Sequence, residues 1–89
     1  MRTLQTQTVT VTIAEHQLNH VATFFIQKAN SFKSQISVAQ GDNSVNAKSL
    51  LGIMSLGIVP GAQVTLTAMG SDEEAAVNAL ETLLQRDVY

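Results

Sequence analysis

Two histidines four residues apart, and one serine ahead of a leucine pair, are the residues of this 89-residue chain best equipped to do chemistry. His16 and His20, with Glu15 beside them, have the spacing of a metal-binding pair. A zinc site takes three or four protein ligands, and two imidazoles with one carboxylate fall short of a closed set. No metal site is therefore expected, and the two side chains read as a solvated loop histidine and a helix-end histidine. Ser49 stands before Leu50-Leu51, and on local physics alone it reads as a helix N-cap whose oxygen accepts from the first-turn amides. The chain has no cysteine, which removes thiol nucleophiles and thiolate metal sites. Gly41, Gly52, Gly57, Gly61 and Gly70 do not fall into a phosphate-cradling loop with a following Lys-Ser. Glu15 and the pair Glu73-Glu74 read as solvated carboxylates. No catalytic constellation and no cofactor site remain.

Those candidates have to be carried by one small domain, residues 1–89, since the length is at or below what one core usually takes. Hydrophobic residues are 45% of the chain, enough for a real core, whereas charged residues are only 13%. Ser, Thr, Asn and Gln, 29 in number, must therefore wet most of the surface. The formal charge is −2 and the five basic residues are scattered, so no direct nucleic-acid surface is expected. The absence of cysteine fits a reducing compartment. Met1-Arg2-Thr3-Leu4 carries no apolar leader, and no run approaches the ~20 apolar residues of a membrane span. The expectation is a cytoplasmic protein that does not enter a membrane.

Strict alternation from Gln7 to Ile13 predicts a strand with Val9, Val11 and Ile13 on one face and Thr8, Thr10 and Thr12 on the other. Val21, Ala22, Phe25, Ile26 and Ala29 recur at helical spacing, with Asn19 as the expected N-cap and an end near Asn30-Ser31. Gln35 to Ala39 predicts a second strand, Gln40-Gly41-Asp42-Asn43 a tight reversal, and Ser44 to Ala47 a short return strand. A short helix follows from Ser49 until Gly57, and Pro60-Gly61 closes that segment. Ala62 to Met69 alternates again. Ser71-Asp72-Glu73-Glu74 then reads as a capping box for a last helix with its apolar face on Ala75, Ala76, Ala79, Leu80, Leu83 and Leu84. This order predicts an α+β fold: four mainly antiparallel strands with three helices on one face, βαββαβα.

Three stretches resemble HPr, the small phosphocarrier of the bacterial sugar phosphotransferase system, and its regulatory relatives. The most specific, Asn46-Ala47-Lys48-Ser49-Leu50-Leu51-Gly52-Ile53-Met54-Ser55-Leu56-Gly57, is similar to the segment around the family's regulatory serine. Ala68-Met69-Gly70-Ser71-Asp72-Glu73-Glu74-Ala75 resembles the last strand and the opening of the last helix. The first strand and first helix align without gaps. The resemblance implies an open-faced sandwich and identifies Ser49, with Lys48 adjacent, as the target of the family's kinase, HPr kinase/phosphorylase.

The departure lies at the family's active centre, a Gly-x-His-x-Arg-Pro-Ala run, which here reads His16-Gln17-Leu18-Asn19-His20-Val21-Ala22. Leu18 occupies the phosphohistidine position, His20 the arginine position and Val21 the proline position. Leucine has no nucleophile, and an imidazole lacks the planar fork with which arginine steadies phosphate oxygens. The resemblance therefore implies a regulatory binding protein rather than an enzyme, with a LacI-type catabolite repressor as the partner favoured by the serine phosphate. The alternative is a carrier in which His16 or His20 replaces the missing histidine and passes phosphate from enzyme I to permease subunits. Either must reach a partner's active site from a shifted backbone position, and misplacement by about an ångström is costly. A short helix cannot bury Leu50, Leu51 and Met54 together, and Phe24 lies beyond what one buried stripe needs. These four are expected to form a partner-docking patch, while Phe25, Ile26 and Ile53 are expected in the core.

Overall fold

The computed structural model describes residues 4–85; residues 1–3, read above for a leader, lie outside that range. The elements are β1 (Gln5–Thr10), a 3-10 turn (Glu15–Gln17), α1 (Leu18–Asn30), β2 (Gln35–Gln40), β3 (Asn43–Asn46), α2 (Leu50–Ser55), β4 (Gln63–Met69) and α3 (Glu73–Gln85). The strands form one antiparallel sheet in the order β1-β4-β2-β3. This is the expected α+β order, an open-faced sandwich. The registers Val9↔Val64, Val38↔Leu66 and Ile36↔Ala68 set these residues on one face, where they are buried. α3 packs over β1 and β4, α1 packs on α3, and α2 bridges α1 and β3. The opposite face carries Thr6, Thr8, Thr65, Thr67 and Ser37, whose hydroxyls wet it without charge. No helix among the described residues is long and apolar enough to cross a membrane.

The first strand starts two residues before the alternation suggests and stops at Thr10 rather than Ile13. The cause lies across the sheet. Ala62 N donates to Val59 O (3.0 Å), closing a turn in which Pro60 sets one φ and Gly61 takes φ +89. Gly61 N then donates to Val11 O, and Val11 N to Ala62 O, both at 2.8 Å, so two residues face one in a glycine bulge. The ladder ends there, yet Val11 and Ile13 remain fully buried. Thr12 turns to the end of α3, its amide donating to Leu84 O and its hydroxyl to Gln85 O, which satisfies carbonyls the helix leaves open.

Two expected caps are replaced. Asn19 lies inside α1, because the 3-10 turn runs straight into that helix through Gln17 in the right-handed region. The extended entry residue is Ala14, which has no side-chain oxygen to offer. At α3, Asp72 O accepts the first helical bond from Ala76 N, and Glu73 Oε1 reaches back to Gly70 N (3.1 Å). The Asp72 carboxylate instead accepts from Lys33 N (2.8 Å), Ser34 N (3.0 Å) and Ser34 Oγ (2.5 Å), tying α3 to the start of β2. Gly70 makes the approach possible, since a Cβ there would meet Ser34 Cα and Oγ at 2.7 Å.

The Ser34 hydroxyl first, and then the Lys33 amide, hold the Asp72 carboxyl below its ordinary value of 3.8. A carboxyl held lower in the folded than in the unfolded chain favours folding while it is ionised. Its contribution is whole above the ordinary value and is lost as pH falls through the lower folded one. Thermal unfolding from pH 6 down to pH 2 should therefore lose stability, and Asp72→Asn should be less stable at pH 6 and show a flatter acid limb. An acid limb identical to that of the parent would show that Asp72 does not shape the acid transition.

Candidate functional site

α1 and α2 pack against each other on the helical face of the sheet, and the start of α1 shares a groove with the last turn of α2. Ala14, extended at φ −64 and ψ 145, delivers the chain into the 3-10 turn, where Gln17 N donates to Ala14 O (2.9 Å). No side chain caps either this turn or α1. His16 in the turn and His20 in the first turn of α1 are exposed. Among the described residues no three His, Asp or Glu side chains come together as a metal-binding group.

Leu18 is half-buried and lies between the histidines in sequence. Its side chain helps to line a groove of about 170 Å³ between the two helices, together with Val21, Ala22, Phe25, Ile53 and Met54. At the phosphohistidine position of the resemblance, this chain has an aliphatic side chain. Val21, at the proline position of the resemblance, is buried, and the helix continues through it because valine retains its amide.

α2 begins at Ser49, extended at φ −106 and ψ 116, whose Oγ accepts from Gly52 N at 3.1 Å while its carbonyl accepts from Ile53 N at 3.0 Å. The N-cap expected from local physics is therefore present. As an acceptor in this bond, the half-buried hydroxyl still keeps its own proton to give up. Lys48 does not point at the serine: its Nζ donates to Phe32 O at 2.8 Å. Periodicity cannot signal that bond, because it joins the ends of two loops.

Six residues are too few to hide the apolar side chains of α2. Ile53 faces the core, while Leu50 is 45% exposed, Met54 62% and Leu51 82%. On α1, Phe24 is 47% exposed beside buried Phe25, and Ile26, expected in the core, is only half-buried against it. Of the four residues expected in the docking patch, Met54 shares the groove with Leu18, whereas Phe24, Leu50 and Leu51 lie outside its lining. Val59 is also exposed. It sits in the loop before β4, where no repeat marks it.

Residues 5–86 match the family model described as the PTS HPr component phosphorylation site. The chain is 42% identical to the HPr-like protein Crh of Bacillus subtilis over 67 residues, covering 75% of this chain and 79% of that protein. The crystal structure of a phosphocarrier protein HPr from Bacillus anthracis superposes with a TM-score of 0.88 at 38% identity, covering 92% and 98% of the two chains. The solution structure of Crh, the Bacillus subtilis catabolite repression HPr, gives a TM-score of 0.71 at 37% identity, covering 94% and 100%. Sequence and fold agree, and the chain belongs to the HPr family of the bacterial sugar phosphotransferase system.

Proposed function

We propose that this protein is a regulatory binding member of the family, switched by phosphorylation of Ser49, and that it does not carry phosphate on histidine. The observation that carries the reading is the half-buried Leu18 at the phosphohistidine position, packed into the groove lining instead of offering a nitrogen. The similarity to Crh, itself described as a catabolite repression HPr, points the same way. In this reading HPr kinase/phosphorylase modifies Ser49. The phosphate then lies at the opening of α2, where amide hydrogens favour negative charge, so the fold tolerates about two added charges. The apolar side chains of Leu50, Leu51 and Met54 lie beside it and complete the contact with a LacI-type catabolite repressor in the cytoplasm.

Phosphoryl transfer from enzyme I needs a basic nitrogen and a donor fork at set positions, and Leu18 and His20 supply neither. The pair Leu18→His and His20→Arg should therefore gain what the parent lacks. With enzyme I and phosphoenolpyruvate, the double variant is expected to take up acid-labile phosphate and the parent none. Equal uptake by both would favour the second reading, in which His16 or His20 is the acceptor and permease subunits are the recipients.

A further inference from the structure

Lys48 stands directly before Ser49, where a cation would be the obvious counterion for a phosphate, yet its bonds lead elsewhere. Its ammonium donates to the carbonyl of Phe32, two residues beyond the end of α1, at 2.8 Å. Its amide donates to Asn46 Oδ1 at 2.8 Å. Its carbonyl accepts from Nδ2 of Asn30, the last residue of α1, at 3.4 Å, and the same nitrogen donates to Ile26 O at 2.9 Å. Side chain and backbone of one residue thus fasten the turn between β3 and α2 to the end of α1.

The setting holds the ammonium in place. Lys48 lies in the turn that Ser49 N closes on Asn46 O (3.1 Å), while the Ser49 oxygen is turned to Gly52. The end of α1 presents carbonyl oxygens and the negative pole of a 13-residue helix, which favours a cation.

We propose that Lys48 is a positioning residue, a staple that fixes the Ser49 turn against the end of α1, and that it is not the counterion of a phosphate on Ser49. The second half rests on Ser49 being the modified residue; the staple is a property of the unmodified chain. Charge added at Ser49 then meets no ammonium from Lys48 and is available to a partner.

Synthesis of the full 89-residue chain with phosphoserine at position 49 removes any dependence on a kinase. In phosphorus NMR titrations, the second ionisation of that phosphate should fall at the same pH in the parent and in Lys48→Met, within about 0.1 unit. In the unmodified chains, Gly52 amide exchange should be roughly fivefold or more faster in Lys48→Met, with Lys48→Arg restoring protection. Lys48→Gln serves as a second variant, keeping a polar end without the charge. A rise of about 0.5 unit or more in the phosphate ionisation of Lys48→Met would make Lys48 its counterion and overturn the proposal. Unchanged Gly52 exchange in both neutral variants would overturn the staple. A kinase that ignores Ser49 would count against the regulatory reading alone, since the exchange result does not involve it.

Discussion

Phosphorylation of Ser49 is expected to raise affinity for a partner surface bearing Arg or Lys about tenfold or more, and to lower it for an apolar or acidic surface. Each charge-assisted hydrogen bond to phosphate contributes about 1.5 to 3 kcal/mol, and one such bond already gives the tenfold change. The Ser49 oxygen sits at the lip of α2, a helix that exposes Leu50, Leu51 and Met54. A partner that covers those side chains must therefore face the phosphate or desolvate it. Calorimetry with a LacI-type repressor, before and after treatment with HPr kinase/phosphorylase, reads the effect, and Ser49→Ala should stay at the unmodified affinity. Equal affinities before and after modification would detach the serine from binding.

Truncation of the apolar anchors is expected to have the next largest effect. Leu51→Ala and Met54→Ala should each weaken the complex by about 1 to 2 kcal/mol, because a side chain that becomes buried at the centre of an interface loses its packing when cut back. Leu51 is 82% exposed in the free protein, so its removal leaves no cavity in the fold and the melting temperature should hold. Met54 lines the groove with Leu18, so its replacement tests whether that groove belongs to the docking face. Intact folding with unchanged affinity in both variants would mean that the partner binds elsewhere.

The sheet was legible because Thr alternates with apolar residues in the first and last strands and because one register slip would turn every buried apolar side chain to solvent. The end of the first strand was not legible: Val11 keeps the alternation and is fully buried, but the glycine bulge that ends the ladder there belongs to Gly61, fifty residues away in the chain. The starts of α1 and α3 were missed for a similar reason. Asn19 and Ser71 have cap chemistry, but the backbone conformation at Gln17 and the partners of Asp72 are set by the packed structure. At the site, the exposure of Leu51 and Met54 follows from the shortness of α2, which Gly52 and Gly57 announce. The commitment of Lys48 to Phe32 does not, because nothing local to Lys48 encodes where the end of α1 will lie.

In the proposed function the signal is carried on Ser49 and none is carried on histidine. Intact-mass analysis tests it after parallel incubations, one with enzyme I and phosphoenolpyruvate and one with HPr kinase/phosphorylase and ATP, each split between neutral and acid treatment. The expected result is a single acid-stable phosphate from the kinase, absent in Ser49→Ala, and no phosphate from enzyme I. An acid-labile phosphate from enzyme I, lost in His16→Ala or His20→Ala, would contradict it.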